Sequence, residues 1–147
     1  GALQNLQPAQ FDVITLWHVL EHIHDLQLTL QKLKELLKPE GVLIIAVPNY
    51  TSLDAYHYGP YWAAYDVPRH LYHFSPFSME QLMKNNGLRV IAKKPLWFDS
   101  FYVSLLSTRY QFGKINYVDG FWQGLRSART TMSEVDRSSS LIYVVTQ

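Results

Sequence analysis

The 147-residue sequence contains no cysteine. That excludes a disulfide framework, every cysteine-based metal site and a thiol nucleophile, and it fits a cytoplasmic location. Net charge is also almost absent: 13 Lys and Arg against 12 Asp and Glu leave a formal +1. No global field draws the chain to an anionic membrane, and no basic stripe runs beside the aromatics to hold nucleic acid. No apolar run approaches the roughly 20 residues needed to span a bilayer. The opening Gly1-Ala2-Leu3-Gln4-Asn5 has neither a basic leader nor an apolar stretch, so it does not read as a signal peptide. Gly1 in place of Met reads as a processed end. Glycine is sparse, at seven residues, and no two of them form Gly-x-Gly.

What is present reads as one globular domain over residues 1–147. Hydrophobic residues make up 48% and charged residues 17%, outside the disordered range. Aromatics reach 14% and concentrate between Tyr50 and Phe77, then between Trp97 and Trp122. Such clusters line a binding cleft or pack a core, and composition alone leaves both open.

Residues 11–17 read as a strand, with apolar residues at both parities and therefore burial on both faces. Leu26, Leu30, Leu33 and Leu37 then form a helical stripe with Asp25 as N-cap, and Pro39 and Gly41 are expected to end the helix. Residues 42–47 are a continuous apolar strand, which makes strand–helix–strand a parallel βαβ unit with a right-handed crossover. An aromatic loop with a short helix runs from Tyr50 to Phe74. Ser75-Pro76 opens the next helix as N-cap and first-turn proline, and Asn86-Gly87 stops it. Strands follow at 88–92 and 141–145. Between them, about 98–134, lies a helical insert of two helices broken near Gly113–Gly120.

Three stretches in this order carry a resemblance: Phe11-Asp12-Val13-Ile14 leading to Trp17-His18-Val19-Leu20-Glu21-His22, then Leu36 to Ile45, then Asp66 to Ser75. Together they resemble the C-terminal half of a class I S-adenosylmethionine (SAM)-dependent methyltransferase, of the broad group that includes ubiquinone-biosynthesis O-methyltransferases. The resemblance implies a partial Rossmann-like α/β fold with spatial strand order first, second, fourth, third and an antiparallel last strand. It also implies a missing N-terminal half, since the family's glycine loop follows its first strand and only ten residues precede Phe11. The implied activity is methyl transfer from SAM to a small-molecule or glycan-type acceptor, at oxygen. The alternative is a non-catalytic structural or interaction module derived from such an enzyme.

Ligands of parallel α/β sheets sit beyond the carboxyl ends of the strands. By the resemblance, Trp17, His18, Leu20 and Glu21 border the methionine part of SAM. His22, His70 and His73 are the candidate bases, because imidazole titrates near neutral pH. Trp62, Tyr65, Arg69 and Tyr72 are the candidate acceptor pocket, with Arg69 either meeting an anionic substrate or pairing with Asp66. His18, Glu21 and His22, at i, i+3 and i+4, share one face if the segment turns helically, and they are ligand types for a divalent ion. No metal is assigned to them, because Glu21 orienting the loop and His22 bonding backbone explain the same residues. His24 is expected to face solvent.

Without its N-terminal half the strand at 11–17 keeps a free apolar edge, which invites pairing with a second copy. Light scattering should therefore report a dimer or other association. A monodisperse monomer whose 11–17 amides exchange freely would overturn that expectation.

Overall fold

The computed structural model describes residues 6–147. The reading of Gly1–Asn5 as a processed, leaderless end lies outside the described residues. Four strands form one sheet: β1 (Phe11–Trp17), β2 (Leu37–Pro48), β3 (Arg89–Pro95) and β4 (Ser140–Thr146), in the order β1-β2-β4-β3. β1 and β2 are parallel, and β4 runs antiparallel to both β2 and β3. Order and direction match the expectation.

Helix α1 (Leu26–Leu36) joins β1 to β2, and Asp25 caps it by accepting the Leu28 amide. Helix α3 (Pro76–Asn85) starts at Ser75, whose hydroxyl accepts the Ser78 amide while the Ser78 hydroxyl accepts the Ser75 amide. It ends at Asn86, and Gly87 follows with φ at +65°. Leu26, Leu30 and Leu33 of α1 and Met79 and Met83 of α3 bury one face of the sheet against Leu43, Ile45, Val47, Leu141, Tyr143 and Val145.

Two expectations need correcting. Pro39 and Gly41 do not form a turn after the helix. The chain becomes extended at Leu37, and residues 38–41 are a bulge inside β2, where Phe11 pairs with Leu37 and Val13 already pairs with Val42. Glycine is required at 41, since a Cβ would sit 2.9 Å from the Lys38 oxygen and 3.0 Å from the Phe11 oxygen. Second, β1 is not buried on both faces. Ile14 and Leu16 pack on the core, whereas Val13, Thr15 and Trp17 are exposed. Ile44 and Val144 lie in register with Thr15 on that outer face, and both are only half-buried.

The aromatic loop contains a short helix, α2 (Leu53–Tyr58), and two 3₁₀ turns at Gly59–Tyr61 and Ala63–Tyr65. The insert is a hairpin of α4 (Asp99–Phe112) and α5 (Tyr117–Ser133), reversing at Gly113. It does not extend the main core. It encloses a second cluster of Ala55, Tyr58, Trp62, Ala63, Ala64 and Val103, above the carboxyl end of β2. No described helix is long and apolar enough to cross a membrane.

The hairpin is close because α5 turns glycines toward α4. A Cβ on Gly124 would lie 2.8 Å from Phe101 Cδ1 and 3.0 Å from its Cα. In an open helix, alanine for glycine gains about 1 kcal/mol. Here the clash with backbone outweighs that gain, and Gly124→Ala is expected to destabilise the chain by about 1–3 kcal/mol, read as a lower midpoint in urea.

Candidate functional site

β1 delivers its last residues to the carboxyl end of the sheet, and there the backbone is unusual. His18 has φ at +51°, the left-handed region that side chains with a Cβ rarely adopt, while its amide still donates to the Ala46 carbonyl. Outliers of this kind concentrate at functional sites. A 3₁₀ turn, Leu20–His22, follows at once and buries Leu20 and Glu21.

The segment after Asp66 folds back onto this turn. The amides of Leu71 and Tyr72 both donate to the Glu21 carbonyl oxygen, at 2.8 and 3.3 Å. His22 Nδ1 lies 2.9 Å from the Arg69 carbonyl, and the Tyr72 hydroxyl donates to the His24 carbonyl at 3.4 Å. His70 Nδ1 is 2.9 Å from the Ala64 carbonyl, and His73 Nε2 is 3.0 Å from that of Tyr65. The imidazoles of His22 and His70 meet edge to face, with centroids 4.7 Å apart.

Between the His18 turn, this loop and α4 lies a cleft of about 230 Å³. His18, Asp66, Arg69, His70 and Asp99 give it charge and hydrogen-bonding capacity, and Ala63, Tyr102, Val103, Leu106 and Tyr110 give it apolar walls. Arg69 is paired with Asp66, with Nη2 and Nε at 2.6 and 3.1 Å from one carboxylate oxygen. The Glu21 carboxylate, 3.4 Å from His18 Nδ1, holds that imidazole above its ordinary pKa. Burial pushes His70 the other way, so its ring is neutral at pH 7.

The structure sorts the predicted residues. His18, Arg69 and His70 line the cleft, whereas His22 and His73 stand outside its lining. Trp17 is half-exposed at the strand end, and Leu20 and Glu21 are buried beneath the turn. Tyr72 sits at the exposed rim of the loop. Tyr65 stacks edge-on between Trp62 and His73, with centroids 5.1 and 5.2 Å away. Trp62 is a core residue, 2% exposed, and its indole N–H donates to Asp54 Oδ2 at 2.9 Å. The same carboxylate accepts from the hydroxyls of Ser139 and Ser127, at 2.6 and 3.3 Å, tying α2 to α5 and to the approach to β4. His24 is exposed, as expected.

Sequence reasoning missed the wall from α4: Asp99, Tyr102, Val103, Leu106 and Tyr110. The aromatic concentration after Trp97 was the one signal for it. Burial raises the pKa of Asp99, against the opposing hydrogen bond from the Ser140 hydroxyl and the nearby His18 charge. A carboxyl whose pKa is raised on folding favours the folded state while protonated, and that contribution is lost as pH rises through the raised value. Asp99→Asn should therefore melt higher than the parent chain at pH 7. The difference should shrink as pH falls to the ordinary carboxylate range, a trend that thermal melts across pH would follow.

Similarity to known proteins agrees with this fold. A chain from the Haloferax volcanii complex of the Trm112 methyltransferase activator with a methyltransferase superposes with a TM-score of 0.60 at 16% identity, covering 97% of this chain and 56% of its own. A SAM-dependent methyltransferase from Archaeoglobus fulgidus gives 0.57 at 16% identity, with 99% and 63% covered. The [4+2]-cyclase SpnF gives 0.58 at 12% identity, with 96% and 51% covered, so this fold is not tied to one reaction. The chain thus spans about half to two-thirds of the length of these structures. No curated protein sequence matches it significantly. The family model described as "Methyltransferase domain" matches residues 4–93, from the approach to β1 through most of β3. That match takes in β1, the His18 turn and the loop folded over it, and on it the chain belongs to the methyltransferase domain family.

Proposed function

We propose that the chain forms the acceptor-side half of a SAM-dependent methyltransferase, transferring methyl to an oxygen of a small-molecule or glycan-type acceptor. The observation that carries this reading is the left-handed His18, placed at the carboxyl end of β1 and facing the cleft beneath α4. SAM, when bound, supplies a methyl group on a sulfonium centre.

The residues present fit one end of that cofactor. Trp17 and His18 are accessible at the strand end, and β1 pairs only with β2 among the described residues. Leu20 and the Glu21 carbonyl are already committed, the first to the core and the second to the Leu71 and Tyr72 amides. They support the turn rather than touch a ligand. The described residues contain no Gly-x-Gly loop, so the second wall of a SAM site belongs to polypeptide outside them.

The cleft then holds the acceptor. Methyl transfer gains much of its rate from holding nucleophile and methyl in line. Tyr102 and Tyr110 offer flat apolar surface with hydroxyls at their tips, which suits a ring-bearing acceptor. Of the three candidate bases, His70 alone lines the cleft. Its neutral ring, oriented by the Ala64 carbonyl, is able to accept the acceptor's proton.

Isothermal titration should find weak or undetectable SAM binding to the 147-residue chain. The same titration on the polypeptide extended upstream in the same reading frame should find clear binding. Tight binding by the chain alone, or an upstream sequence without a glycine loop, would defeat the proposal. In a binding-competent protein, His70→Asn should lower kcat by roughly 10²–10⁴-fold, measured by transfer of labelled methyl.

A further inference from the structure

The charged side chains around the cleft stand in pairs, with one exception. Arg69 lies 2.6 Å from the Asp66 carboxylate, and the His18 ring lies 3.4 Å from that of Glu21. Burial keeps the His70 ring neutral at pH 7. Asp99 is left over. It forms no ion pair with Lys, Arg or His among the described residues. Its one side-chain donor is the Ser140 hydroxyl, which meets Oδ2. Oδ1 accepts no hydrogen bond among the described residues and is not sealed from the surface. Asp99 lines the cleft, so this oxygen is the acceptor it offers there.

Burial also raises the pKa of Asp99, so folding works against its ionised form. A desolvated carboxyl without a counter-charge, placed in a cleft, marks a binding or catalytic position. Asp54 shows the structural alternative: it accepts from Trp62, Ser127 and Ser139 and takes no part in lining the cleft. Tyr102 stands beside Asp99. Both line the cleft, and at i and i+3 on α4 they are neighbours on the helix surface. Tyr102 is 64% exposed, so its ring is not committed to the core, and the face of such a ring attracts cations. Leu106 and Tyr110 continue the same wall, with Tyr110 roughly 12 Å further along the helix axis than Tyr102.

We propose that the acceptor carries a protonated amine, held by the Asp99 carboxylate and the Tyr102 ring while its apolar body extends toward Leu106 and Tyr110. The inference rests on the reading of this cleft as the acceptor site, and it names the substrate class: an amine-bearing alcohol or phenol, or an amino sugar among glycan-type acceptors. An ammonium group supplies Oδ1 with both the donor and the charge it lacks, and a charge-assisted bond of this kind is stronger than a neutral one. A neutral acceptor of the same shape leaves the carboxylate desolvated and without a counter-charge, and an anionic one meets like charge. His70 takes no part in this contact and stays free to receive the proton of the acceptor oxygen.

The test titrates the chain with three probes of one shape: tyramine, which is cationic; tyrosol, which has a hydroxyl in place of the amine; and para-hydroxyphenylacetate, which is anionic. Tyramine should bind at least about tenfold more tightly than tyrosol, the worth of one hydrogen bond to a charged group, and the anion should bind least. Asp99→Asn, expected above to melt higher than the parent and therefore to fold, should bring tyramine down to the affinity of tyrosol. Tyr102→Leu should weaken tyramine by roughly two- to fivefold with less effect on tyrosol. Tyr117→Leu, at an exposed tyrosine of α5 outside the cleft, should bind all three as the parent does. Equal binding of tyramine and tyrosol overturns the proposal, as does a preference for tyramine that survives Asp99→Asn, or no saturable binding of tyramine at all. Transfer of labelled methyl is read separately. A protein that methylates a neutral acceptor without preferring the amine loses the charge assignment alone. One that prefers the amine but transfers no methyl loses the methyl-transfer reading alone.

Discussion

Two backbone amides, those of Leu71 and Tyr72, converge on the carbonyl oxygen of Glu21, and the architecture of the cleft hangs on that convergence. A carbonyl has two lone pairs, so one oxygen is able to accept both. The contact fastens a loop with little regular structure to the rigid end of β1. It places Arg69 and His70 beside the turn in which the Glu21 side chain is buried. A second tie, between Asn49 and Phe74, holds the far end of the same loop to the end of β2. A loop pinned at two strand ends presents side chains with the precision of the sheet beneath it.

Much of the fold was legible because its signals are local. The leucine stripe of α1, the Ser75-Pro76 start and Asn86-Gly87 stop of α3, and the continuous apolar runs of β2 and β4 each declare themselves within a few residues. The segment from Leu37 to Gly41 was not legible, since proline and glycine after a helix usually mean a turn. The neighbouring β1 strand captures it instead, and the extra residues become a bulge. The exposed face of β1 was misread for a related reason. Apolar residues at both parities report that a sequence suits burial on both sides, not that both sides are covered.

The site was half legible. His18 and Glu21 follow a strand that any reading places at the sheet's carboxyl edge, so they were visible as candidates. Trp62 was not visible as a core residue, because its partner Asp54 is supplied with hydrogen bonds by serines contributed from α5 and from just before β4. The neighbourhood of His22 and His70 depends on the amide clamp, and the contribution of α4 depends on how the insert docks. Neither is a property of spacing. Histidines scattered along a sequence become a cluster or remain apart according to contacts that only the assembled chain possesses.

The hairpin of α4 and α5 rests on its own small apolar cluster, separate from the one beneath the sheet. Cooperative units of folding tend to follow such boundaries. The hairpin meets the rest of the chain at that upper cluster and at the buried Asp54 junction, whereas the hydrogen-bonded ladder of the sheet is built without it. One wall of the cleft thus stands on a footing separate from the one beneath the sheet.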